Sequence, residues 1–94
     1  MGRNRVEFSK AFAIVVKRHR TAQNLSRHRL AEIAGVHQTY VGLVERGLRN
    51  PTLDTAEMLA RSLKRNLSEL ILEAEAVHAT LTPKDFASDR DLPA

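Results

Sequence analysis

The sequence predicts an all-α protein, five helices in one small domain. Three observations carry that expectation. Apolar residues recur at three- and four-residue spacing through most of the chain, the period of a helix buried on one side. Residues suited to starting and stopping helices stand between those stretches: Ser26, Gly35, Gly47, Pro51, Thr52 and Pro83. No stretch alternates apolar and polar residues as a half-buried strand does. With 94 residues there is room for one domain and a modest core, and domains of that size often gain stability by associating.

The first helix begins at or just before Ser9. Phe8, Phe12, Val15, Val16 and His19 line one face, while Lys10, Lys17, Arg18 and Arg20 occupy much of the other. Gln23-Asn24 is its stop, because Asn tolerates the left-handed conformation that helix ends often need. Ser26 caps the second helix, Arg27 to Ala34, with Leu30, Ala31 and Ala34 inward and Gly35 ending it. A third helix starts at Val36 or His37, buries Val41 and Val44, and stops at Gly47. Arg49-Asn50-Pro51 is a loop, since a residue before proline is pushed out of the helical region. Thr52 caps the fourth helix, which runs to about Lys64 and buries Leu53, Ala56, Leu59, Ala60 and Leu63. Asp54 and Glu57 lie in its first turn, where the helix dipole favours acids. Arg65-Asn66 is the next break and Ser68 the expected cap of a fifth helix. Its stripe is Leu67, Leu70, Ile71, Ala74, Val77 and Leu81, and Pro83 ends it. Residues 1–5 are polar and expected to fray; 82–94 are expected to form a flexible or loosely docked tail.

Composition narrows the function classes. The chain has no cysteine, which excludes a disulfide scaffold and a cysteine-based zinc site. The longest apolar run, Ala11–Val16, is far below the roughly 20 residues of a membrane span. No signal-peptide pattern follows Arg3 and Arg5, so a cytoplasmic protein is expected. The net charge of +4 is uneven: +7 over residues 1–29, zero over 30–50 and −3 over 51–94. The basic half suits phosphates, which release counterions on contact with Lys and Arg; a solvated charged surface is the plainer reading. His19, His28, His37 and His78 show no metal-ligand spacing, and no nucleophile constellation or phosphate loop is present. Neither an enzyme nor a cofactor is expected. Glu69, Glu73 and Glu75 read as a solvated helix face.

The informative stretch is SRHRLAEIAGVHQTYVGLVERG, residues 26–47. Two short helices meet at a tight turn containing Gly35, the layout of a helix-turn-helix. Ala31 is small where the third helix crosses it, and Gly35 takes positive φ without a Cβ clash. Val36, Val41 and Val44 pin the third helix inward, leaving Gln38, Thr39, Gly42 and Leu43 outward. Such residues suit a DNA major groove, where Gln pairs with adenine and apolar atoms meet a thymine methyl. Gln38 and Thr39 are the expected base contacts, with Leu43 either a third or an ordinary surface leucine. Tyr40 either meets the sugar-phosphate or packs.

In KRHRTAQNLS (17–26), LAEIAGV (30–36), QTYVGLVERG (38–47), RNPTLDT (49–55) and LARSLKRNLSELI (59–71), the chain resembles the phage-repressor-type (Xre, Cro-like) helix-turn-helix regulators. The resemblance covers roughly residues 8–72. It implies a five-helix, lambda-repressor-like DNA-binding domain acting as a homodimer on a near-palindromic operator. Gln38, Thr39 and Leu43 fall where relatives touch bases; Arg27, Arg46, Arg49 and Asn50 fall along the DNA backbone, and His37 at the N-cap of the recognition helix. With His37 and, from the reading of the residues, Tyr40 added, the expected backbone contacts are Arg27, His37, Tyr40, Arg46, Arg49 and Asn50. Arg20 and Glu45 match a buried ion pair joining the first and third helices. Four positions depart from the pattern: His19 for an apolar residue, Asn24 for Gly, Arg27 for Gln and Gly42 for Ser.

The fifth helix carries its stripe beyond what a core needs: either Phe86 of the tail covers the surplus, or, the preferred expectation, the helix forms the dimer interface through Leu70, Ile71, Ala74, Val77, His78 and Leu81. On this division residues 1–81 are the DNA-binding domain, with 67–81 as dimerisation helix, and 82–94 the tail. By length the chain is similar to the controller proteins of restriction-modification systems, with compact phage repressors nearby. Double-stranded DNA and a second copy are then the partners, with no membrane and no small-molecule ligand. The competing expectation is an antitoxin-type regulator whose acidic C-terminal part binds a partner protein.

Overall fold

The computed structural model describes residues 7–81, and all five expected helices are there: α1 Phe8–Ala22, α2 Arg27–Ala34, α3 Gln38–Glu45, α4 Leu53–Ser62 and α5 Leu67–Thr80. The expected tail at 82–94 and the frayed first residues lie outside the described residues. So do Phe86, offered as a cover for α5, and Arg3.

Local chemistry accounts for most boundaries. Ser26 Oγ accepts from Arg29 N at 2.9 Å and Thr52 Oγ1 from Thr55 N at 3.0 Å, satisfying helix-start amides that have no partner within the helix. The exits of four helices share one geometry. A residue with positive φ follows each (Asn24, Gly35, Gly47 and Lys64), and the next amide reaches back to a carbonyl five residues earlier. Examples are Leu25 N to Arg20 O at 3.1 Å and Val36 N to Ala31 O at 3.0 Å. Asn24 therefore does the work of the usual Gly, at φ 59°.

α1 lies along α5 and also meets α3; α2 packs on α3 and α4, and α4 on α5. The core they enclose includes Phe12, Val15, Val16, Leu30, Ala31, Val41, Leu59, Leu63, Leu70 and Ala74. Burying such side chains contributes about 1.5–3 kcal/mol each for the larger ones, before the entropy of ordering the chain is set against it.

Several expectations are corrected. The cap of α5 is Asn66, not Ser68, and Glu69 Oε1 accepts from Asn66 N at 2.9 Å. Starting at Leu67 brings Leu67, Leu70, Ile71 and Ala74 onto one face. α4 ends at Ser62, because Lys64 turns left-handed at φ 60°. Leu53 is 79% exposed, one turn ahead of Ala56 and past the edge of the core. Leu70 and Ala74 are wholly buried within the chain and offer no surface to a second copy. Glu73 is not simply solvated. His19 Nε2 lies 3.0 Å from its Oε1, so His19 ties α1 to α5 where an apolar side chain was the usual occupant.

Candidate nucleic-acid interface

Gly35, at φ 74°, turns the chain from α2 into α3. Ala31 and Ala34 on one helix and Val41 and Val44 on the other are buried, so α3 has a fixed inner side. Its outer side begins with Gln38 and Thr39, both exposed, and continues through half-buried Tyr40, Gly42 and Leu43. A Cβ placed on Gly42 would meet nothing within 4 Å, so this stretch of backbone lies open. His37 caps the helix: its Nδ1 accepts from Thr39 N at 3.2 Å. That bond fixes the tautomer and holds the ring beside the first turn.

The far end of α3 is held by charge. Glu45 is buried, and its carboxylate receives Arg20 Nε at 2.6 Å and Nη2 at 3.0 Å. The expected ion pair is therefore present. Arg20 Nη1 also donates to Leu25 O at 2.7 Å, which binds the α1–α2 loop into the same network. Arg27 joins from α2, with Nε 3.0 Å from Glu45 Oε1. Its side chain is 47% exposed, so the guanidinium is anchored on one edge while the rest faces solvent.

An open groove runs between the start of α3 and the start of α4. It is lined by His37, Tyr40, Arg49, Asn50, Thr52 and Thr55, over Val36. The fold thus gathers four of the six expected backbone contacts at one place, beside Gln38 and Thr39. Arg46 is exposed but does not line this groove, and Arg27 is held by Glu45 elsewhere. Thr52 and Thr55 were not among the expected site residues; Thr52 carried a capping signal, which says nothing of the groove it borders. A second shallow depression is lined by His28, Glu32, Val36, His37 and Gln38, over Ala31. His28, also unforeseen, contacts Gln38 there. Among the described residues no group of three His, Asp or Glu side chains is placed to hold a metal ion, and no helix is long and apolar enough to cross a membrane.

Comparison with known proteins agrees with this geometry. Residues 16–70 match the helix-turn-helix family. The control protein C.SmaI of Serratia marcescens is 41% identical over 66 residues, which span 70% of this chain and 79% of that protein. Among solved structures, the restriction-modification controller protein C.AhdI of Aeromonas hydrophila superposes with a TM-score of 0.64 at 39% identity, covering 66% of this chain and 94% of that one. The clp gene regulator ClgR of Corynebacterium glutamicum gives a TM-score of 0.75 over 79% of this chain and 95% of its own, at 18% identity, a likeness of fold alone.

Proposed function

The chain belongs to the helix-turn-helix family, and from that premise we propose that it is a transcriptional regulator of the restriction-modification controller type, binding a near-palindromic operator as a homodimer in the cytoplasm. One observation carries the DNA-reading part. Gln38 and Thr39 stand exposed on a helix whose other side is pinned, next to a groove bordered by Arg49 and Asn50. Bases are read by side chains on a rigid element, and phosphates set its register. Gln38 and Thr39 take the base contacts, with Leu43 beside a thymine methyl. His37, Tyr40, Arg49, Asn50, Arg46 and Arg27 take the backbone. The controller role is supported by the kinship with C.SmaI and C.AhdI.

One such unit reads only a few bases, which argues for two copies. With Leu70 and Ala74 buried, the surface of α5 left for a partner comprises the half-buried Ile71, Val77, His78 and Leu81 and the exposed Leu72. Leu72 and the exposed Ala76 and Ala79 follow one another at helical spacing.

Selection of bound DNA from a random pool tests the proposal. The expected product is an inverted pair of half-sites about 34 Å apart, or a multiple of that turn. Enrichment of single, unpaired sites would refute the dimeric operator, and no enrichment would refute sequence-specific binding.

A further inference from the structure

Gln38 is held from one side by a side chain of the protein itself. His28, on α2, brings Nδ1 to 2.6 Å from Gln38 Oε1. A carboxamide oxygen only accepts, so the ring carries its proton on Nδ1 and donates. The other ring nitrogen, Nε2, lies 3.6 Å from Glu32 Oε2, and Glu32 Oε1 accepts from Arg29 Nη1 at 3.0 Å. His28 thus lies between the first residue of α3 and the Arg29–Glu32 pair on α2, hydrogen-bonded among the described residues to Gln38 alone. Gln38 Nε2 has no hydrogen-bond partner among the described residues.

From this we infer that His28 is a positioning residue which fixes the orientation of the Gln38 amide and thereby selects adenine at one operator position. The inference rests on the proposal that Gln38 reaches a base edge. An amide turned over by half a rotation exchanges its donor and its acceptor. Adenine offers N7 as acceptor and N6 as donor in the major groove, so it accepts only one of the two orientations; guanine offers N7 and O6, both acceptors. The His28 bond uses one lone pair of Oε1 and leaves the second for an adenine N6–H, while Nε2 is free for N7. Both His28 and Gln38 are exposed, so water competes with their bond in the free chain and the fold does not depend on it. Inside a groove that excludes water the same bond strengthens.

The test compares wild type, His28→Ala, His28→Gln and Gln38→Ala on the selected operator, with each of the four bases at the position where Gln38→Ala loses discrimination. Wild type is expected to prefer adenine there. His28→Ala should cut that preference about three- to tenfold, the loss of one net hydrogen bond, with Tm and salt dependence unchanged. His28→Gln, which also presents an N–H donor, should restore most of it. Full preference retained in His28→Ala, or guanine preferred by wild type, would overturn the inference and leave base reading by Gln38 standing. A lowered Tm in both His28 variants, with preference lost in both, would overturn it as a structural effect. Gln38→Ala with every base preference intact would sink the base-reading proposal itself, and this inference with it.

Discussion

Arg20 and Glu45 form a two-pronged ion pair across α1 and α3, with side chains 10% and 0% exposed. Glu45 can sit unexposed because three donated hydrogen bonds, two from Arg20 and one from Arg27, satisfy its carboxylate. Removing one partner strands a charge. Glu45→Ala is therefore expected to cost about 3–5 kcal/mol, a large share of what a small domain has. Arg27→Ala removes only the half-exposed donor and should cost about 1 kcal/mol or less. Urea unfolding measures both. A loss below 1 kcal/mol for Glu45→Ala would show that the pair does not secure the recognition helix.

Gln38→Ala should relax base preference at one position and weaken the best operator by about 1–3 kcal/mol, with little change in binding to non-specific DNA. Competition binding with operator and single-base variants reads this directly. The expectation is wrong if the variant ranks the four bases as wild type does.

Arg49 borders the groove with Asn50 and Tyr40, away from the Glu45 network. Arg49→Ala should weaken binding to all sequences alike and lower the magnitude of the log-affinity against log-salt slope by about 0.9, one phosphate contact. A slope identical to wild type would remove Arg49 from the phosphate-contacting set.

The helices were legible because apolar spacing and capping residues agree over short distances. Ser26, Gly35 and Thr52 do in the structure what their types suggest in the sequence. What stayed hidden depends on contacts between residues far apart in the chain. His19 looked like a misplaced polar residue because Glu73 lies 54 positions away. His28 carried no signal because its bond to Gln38 exists only once α2 and α3 cross. The α5 stripe misled in a different way: periodicity marks a face but not what covers it, and the chain's own core, to which α5 packs through α1 and α4, already takes in Leu70 and Ala74. Lys64 at φ 60° contradicts residue preference outright, and the pull of Leu63 into the core outweighs a local cost of about 1–2 kcal/mol.

The proposed dimer is tested best at Leu72. It is 69% exposed, so a charge there leaves the chain's own core intact, unlike a charge at half-buried Val77. Leu72→Asp should leave Tm of the monomer within a few degrees and weaken self-association at least about tenfold, the effect of losing roughly 1.4 kcal/mol at a buried contact. Sedimentation equilibrium provides the measure. An unchanged dimer would move the interface off this side of α5.

Gly42 separates stability from binding. It lies within α3, where glycine costs about 1 kcal/mol relative to alanine, and an added Cβ meets nothing. Gly42→Ala should therefore stabilise the free chain by about 0.5–1 kcal/mol. The same Cβ would project from the side that carries Gln38 and Thr39, one turn along the helix. If α3 enters a groove with its backbone close to the DNA, operator affinity falls although the fold is firmer. Stability raised and affinity lowered in one variant is a combination that loss of structure does not produce. A variant that gains stability and binds as tightly as wild type would place the DNA surface farther from Gly42 than proposed.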